Sequence, residues 1–116
     1  MVSQSNQSRQ YLEIGAGTGV FTSAIVKKMG PNDHLDIVEI NPEFCKQLKD
    51  RYQKDRRVRV ISQSILEFQT QRRYDAVISG LPLTVFKEEQ ANKIQNLYHL
   101  LVKNRGYISY FEYALI

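Results

Sequence analysis

An acid, three glycines at alternate positions and a second acid twenty residues after the last of them stand near the start of the chain. The phrase is Tyr11-Leu-Glu13-Ile-Gly15-Ala-Gly17-Thr-Gly19-Val-Phe21-Thr, and the second acid is Glu39. Glycines at this spacing suit a turn where backbone approaches a ligand closely or takes positive φ. A helix beginning just after them offers free N–H groups to a negative group. With Glu39 ending the next apolar run, the pattern reads as strand, turn and helix around a nucleoside.

The spacing excludes two common nucleotide sites. A dinucleotide turn wants Gly-x-Gly-x-x-Gly, and here position 20 is Val, the third glycine arriving one residue early. A triphosphate loop wants Gly-Lys-Ser/Thr, and none follows. Other chemistry has thin support. His34 and His99 are far apart and lack metal-ligand spacing. Cys45 lies beside an apolar helical stripe and reads as a small filler, and Ser79 has no His or Asp pattern of a hydrolase.

The elements that must carry these residues alternate. Gln10–Ile14 is expected as strand one and Thr18–Met29 as a helix whose Phe21, Ile25 and Met29 share a face. Gly30-Pro31-Asn32-Asp33 ends that helix, and Leu35–Glu39 is strand two. Asn41 caps the next helix with Pro42 at its first position, and Phe44, Leu48 and Tyr52 form its buried stripe. Val58–Ile61 and Tyr74–Ser79 are strands three and four. A helix from Glu88 to about Val102 carries Ala91, Ile94, Leu97, Tyr98 and Leu101 inward. Asn104-Arg105-Gly106 is expected to end it, before strand five at Tyr107–Tyr113. Such alternation implies an α/β fold, parallel strands with helices on both faces. Right-handed crossovers and a switch point after strand one give the sheet order 3-2-1-4-5. Ligands then sit beyond the C-terminal strand ends, where Gly15–Gly19, Glu39, Ser79–Pro82, Glu112 and Tyr113 are all delivered.

Size and composition bound the rest. The 116 residues make one small domain or part of one, with residues 1–9 as a polar tail and 10–116 as the core. Apolar content of 42% supports a core, and no stretch approaches the roughly 20 apolar residues of a membrane span. The start, Met1-Val-Ser-Gln-Ser-Asn-Gln-Ser8, does not resemble a signal peptide, and one cysteine permits no internal disulfide. A cytoplasmic setting is expected. Net charge is +4, with excess around Lys46–Arg59 and at Arg72-Arg73. That surplus suits RNA or an anionic lipid surface, but a solvated helix face and two basic loops is the favoured reading.

The form Glu-x-Gly-x-Gly-x-Gly resembles motif I of the class I S-adenosylmethionine-dependent methyltransferases. Ser79-Gly-Leu-Pro-Leu83 resembles a segment of the bacterial phosphatidylethanolamine N-methyltransferases, as do Val38–Phe44 and Ile108–Tyr113. The similarity runs from about Tyr11 to Tyr113. It implies a Rossmann-like three-layer sandwich and S-adenosyl-L-methionine as cofactor. It further implies cofactor contacts from Glu13, Gly15, Ala16, Gly17, Thr18, Gly19, Glu39, Ile40, Ser64, Ile65 and Ser79. Glu13 would face the ammonium of the methionine tail, Glu39 both ribose hydroxyls, and Ile40 the adenine. Where the family commonly has Gly-Asp-Ala, this chain has Gln63-Ser64-Ile65, which leaves Ser64 as an uncharged acceptor.

The acceptor implied is an amine, with Gly80, Leu81, Pro82 and Leu83 lining the substrate side and Tyr113 placed to orient the amine; Glu112, where the family commonly has Thr, is a second candidate for that role and otherwise an exposed acid near a strand end. The phosphatidylethanolamine headgroup fits, which would place the protein peripherally at the inner face of a membrane. The rival is the RNA adenine dimethyltransferase family, whose motif after strand four is Asn-Leu-Pro-Tyr. Here Ser79-Gly80 and Leu83 occupy those places, so a flipped adenine lacks both amide and stacking platform. A degenerate cofactor-binding module without catalysis is the third reading. Class I enzymes usually carry lid helices before strand one and an antiparallel hairpin after strand five. Neither is found here, so a truncated form, or a homodimer through the exposed edge of strand five, is expected.

Overall fold

The computed structural model describes residues 7–111. Five parallel strands make one sheet: β1 (Gln10–Ile14), β2 (His34–Glu39), β3 (Val58–Ser62), β4 (Tyr74–Ser79) and β5 (Val102–Tyr110). Their order is β3-β2-β1-β4-β5, as the alternation predicts. Helices α1 (Val20–Lys28), α2 (Pro42–Tyr52) and α3 (Glu88–Leu101) connect them, with a 3-10 turn at Leu83–Val85.

Side-chain alternation divides each strand between two cores. Leu12 and Ile14 of β1 join Val38, Val77, Ile94 and Tyr98 beneath α3. On the other face Tyr11 packs with Leu35, Ile37, Leu48 and Met29 beneath α1 and α2. Each fully buried Leu or Ile contributes roughly 1.5–3 kcal/mol, so these two layers hold the sheet together. Asn41 caps α2 as expected, accepting from Glu43 N at 2.9 Å and Phe44 N at 3.2 Å, with Pro42 in the first turn.

The boundaries differ most from expectation at the start of α1 and at the α3–β5 junction. α1 starts at Val20 rather than Thr18, because Gly19 takes φ +88° and serves as its N-cap. α3 ends at Leu101, and β5 begins at once at Val102, so Asn104-Arg105-Gly106 lies inside the strand instead of breaking the helix. Tyr74 pairs with Val102 while Ala76 pairs with Tyr107, so β5 bulges across that step. Gly106 permits the bulge, since a Cβ there would lie 2.6 Å from the Asp75 carbonyl oxygen.

The basic stretches are also more structural than a solvated face. Asp36, 2% exposed, accepts from Arg59 Nε and Nη2, both at 3.0 Å, from Arg72 Nη1 at 3.4 Å and from the Tyr74 hydroxyl at 2.7 Å. Arg57 pairs with Asp55 at 2.7 Å and donates to the Met29 and Gly30 carbonyls that end α1. Periodicity does not reveal these ties, because both partners must first be brought together by the sheet.

Candidate functional site

The turn Gly15–Gly19 leaves the C-terminal end of β1 and is tied down from three sides. Gly15 N donates to Val38 O of β2 at 3.0 Å, and Gly19 N closes the turn on Ala16 O at 3.0 Å. Gly15, Gly17 and Gly19 all have positive φ, at +71°, +57° and +88°, which explains three glycines in five residues. On the α2 side, Arg51 Nη1 donates to Thr18 O at 3.1 Å. Ala16 is buried in the core below, while Thr18 is exposed.

Glu39 ends β2 directly beside this turn and is 5% exposed. Its Oε1 accepts the Gly17 N–H at 2.7 Å and its Oε2 accepts the Asn41 N–H at 2.9 Å. Both donors are peptide groups, so each carboxylate oxygen keeps a lone pair for a ligand hydroxyl. Cys45 supports the strand end from α2, its thiol donating to Glu39 O at 3.1 Å.

A pocket of about 100 Å³ opens next to Glu39, lined by Gly15, Ile40, Ser64, Ile65, Leu66 and Leu81 among others. Ile40 is 66% exposed, an apolar side chain held in solvent beside an acid. The slot thus gathers several residues expected at the cofactor. Ser64 hydroxyl accepts Leu66 N at 3.2 Å and keeps capacity for a further bond. The slot, at about 100 Å³, is smaller than the roughly 300–1,000 Å³ of drug-sized ligand sites. The donor set fits the group.

Other expected residues are placed differently. Glu13 is 2% exposed and receives the hydroxyl of Thr22 from α1. Burial pushes its carboxyl up to about 7, the Thr22 bond working against this and the charge of Glu39 with it. Thr22 was not anticipated; its only signal is its place in the first turn of α1, facing the strand. Ser79 is fully buried and shares a 2.8 Å hydrogen bond with the Tyr98 hydroxyl of α3, so it does not face the pocket. Its role is to hold the next turn, accepting Leu81 N at 3.4 Å.

Gly80 is also a packing position. Its N donates to Ile14 O at 2.7 Å, and a Cβ would lie 2.6 Å from Gly15 O. Leu81 leans on Gly15 and lines the slot, and Pro82 is exposed at the rim. Leu83, expected as an open substrate wall, is 8% exposed and belongs to the core under α3. Val85, 69% exposed, stands outward two residues on. Glu112 and Tyr113 lie outside the described residues.

Comparisons with known proteins agree with this geometry. The chain matches the methyltransferase domain family over residues 12–106. It is 32% identical over 79 residues to malonyl-[acyl-carrier protein] O-methyltransferase 2 of Ilyobacter polytropus, covering 68% of this chain and 30% of that protein. An ornithine lipid N-methyltransferase of Singulisphaera acidiphila is 30% identical over 88 residues, covering 71% and 46%. A tRNA1(Val) (adenine(37)-N6)-methyltransferase of Histophilus somni is 25% identical over 97 residues, covering 79% and 41%. The chain thus spans a third to a half of the curated relatives it matches. Among solved structures, the N-methyltransferase NodS of Bradyrhizobium japonicum in complex with S-adenosyl-L-homocysteine superposes with TM-score 0.76 at 18% identity. That match covers 88% of this chain and 51% of that one. The chain belongs to the methyltransferase domain family, whose cofactor is S-adenosyl-L-methionine.

Proposed function

We propose that this chain is the cofactor-binding core of a methyltransferase that methylates an amine, with a phospholipid headgroup such as phosphatidylethanolamine as the favoured acceptor. The observation carrying the cofactor assignment is Glu39. A buried carboxylate held only by peptide N–H groups stands between a three-glycine turn and an apolar slot. Glu39 takes the ribose hydroxyls, Ile40 and Ile65 flank the adenine, and Gly15–Gly19 make room for the methionine chain. S-adenosylmethionine supplies an electrophilic methyl on a sulfonium. The amine nitrogen's lone pair forms the new C–N bond as the C–S bond breaks, its electrons remaining on sulfur, and the amine proton leaves to solvent. The chain's part is alignment and exclusion of water rather than covalent catalysis.

The acceptor reading rests on the rim. Ser79–Leu83 offers neither an amide nor an aromatic side chain, and the Ser79 hydroxyl is committed to Tyr98. Val20, Ile40, Leu66 and Val85 are exposed apolar residues that follow β1, β2, β3 and β4, all at the C-terminal edge. Such a fringe suits a lipid better than a nucleic acid backbone. Among the described residues no helix is long and apolar enough to cross a membrane. A lipid acceptor would put this edge at the inner face of a membrane.

Two experiments test this. Calorimetry with S-adenosylhomocysteine should show binding that Glu39→Ala removes; no binding by the wild type would leave only a fold. Transfer of labelled methyl should go to phosphatidylethanolamine vesicles, and label appearing in RNA alone would reject the lipid acceptor.

A further inference from the structure

Arg51 ties helix α2 to the glycine turn. Arg57, Arg59 and Arg72 each take a carboxylate, at 2.7, 3.0 and 3.4 Å. Arg51, in the last turn of α2, donates instead to a peptide carbonyl, that of Thr18 in the glycine turn. Its guanidinium also fills the space a side chain at position 19 would need. A Cβ on Gly19 would lie 2.5 Å from Arg51 Nη1 and 3.0 Å from Leu48 Cδ2.

The turn therefore has two pinned ends and a middle that can move. Its N-terminal end is held by Val38 O and by Leu81, whose Cδ2 would lie 2.8 Å from a Cβ on Gly15. Its C-terminal end is held by Leu48 and Arg51. Between them Gly17 hangs on Glu39 by one hydrogen bond, and a Cβ there would meet nothing within 4 Å.

We infer that Arg51 is a positioning residue for the cofactor: by fixing the Thr18 carbonyl it anchors the C-terminal end of the glycine turn in the conformation that receives the nucleoside. A three-glycine turn without that anchor samples many conformations, and ordering them on binding is paid in affinity. The inference rests on the cofactor assignment above, and binding by the wild type tests that assignment separately.

The test is S-adenosylhomocysteine binding by wild type, Arg51→Ala and Arg51→Lys, with thermal unfolding of each measured in parallel. Losing a charge-assisted hydrogen bond on an exposed turn should raise Kd about three- to tenfold in Arg51→Ala. Arg51→Lys should recover part of the loss, and the unfolding midpoints should stay close together. A merely structural arginine would lower the midpoint and leave Kd unchanged. Gly19→Ala supplies a second readout, since its added methyl collides with the guanidinium. Its cost in Kd should be smaller in the Arg51→Ala background than in the wild type. Unchanged or tighter binding by Arg51→Ala, or strictly additive effects of the pair, would overturn the inference. A wild type that fails to bind overturns the cofactor assignment itself.

Discussion

Two acids on β2, Asp36 and Glu39, are 2% and 5% exposed and lie three residues apart, yet they are satisfied by different kinds of donor. Asp36 is surrounded by side chains, two arginines and a tyrosine drawn from β3, β4 and the segment between them. Glu39 receives only main-chain N–H groups, one from a glycine turn with room to move. A carboxylate saturated by charged side chains fixes neighbouring strands to one another. A carboxylate held by yielding peptide groups is buried but still available. Burial alone therefore does not distinguish these two acids; the donor type does.

The largest effect expected is on Asp36. Asp36→Ala strands the Tyr74 hydroxyl and separates two half-exposed arginines from their partner. It should cost roughly 3 kcal/mol in urea unfolding while changing Kd for S-adenosylhomocysteine by less than about twofold. Glu39→Gln should do the reverse. Calorimetry should show affinity falling by ~2–3 kcal/mol, the scale of hydrogen bonds to a charged group, at a nearly constant unfolding midpoint. If the two variants exchanged these phenotypes, the distinction by donor type would be lost.

Glu13 sharpens the comparison, since its partner is the neutral hydroxyl of Thr22. Its carboxyl keeps a proton to about 7 in the fold, against 4.5 in the unfolded chain. The fold is favoured by that proton below the lower value and loses the advantage as pH rises toward the upper one. At about pH 8, Glu13→Gln should be more stable than the wild type by ~1–3 kcal/mol in urea unfolding, and the gap should close by about pH 5. The smallest effect is at Tyr98. Tyr98→Phe removes the partner of Ser79 and should cost about 1 kcal/mol in thermal unfolding.

Much of this was legible in the chain. The strand order follows from alternation and handedness, and the glycine spacing with Glu39 located the pocket, because both are local patterns that topology places on one edge. What stayed hidden depends on contacts between distant residues. Thr22 on Glu13, Tyr98 on Ser79 and Arg51 on Thr18 join positions 9, 19 and 33 apart in sequence, and no periodicity marks them. The Asn104–Gly106 stretch misled for a related reason. It has the composition of a helix stop, yet pairing with β4 draws it into a bulged strand.

The meeting of Gly80 with the Gly15 carbonyl has a practical consequence for redesign. The peptide that bounds the acceptor side leans directly on the one that begins the cofactor turn, with no side chain between them to adjust. A library that varies position 80 to probe the proposed acceptor side will disturb the glycine turn as well. Diversity should begin at Pro82 and Val85, where the chain faces solvent and can change without touching that joint.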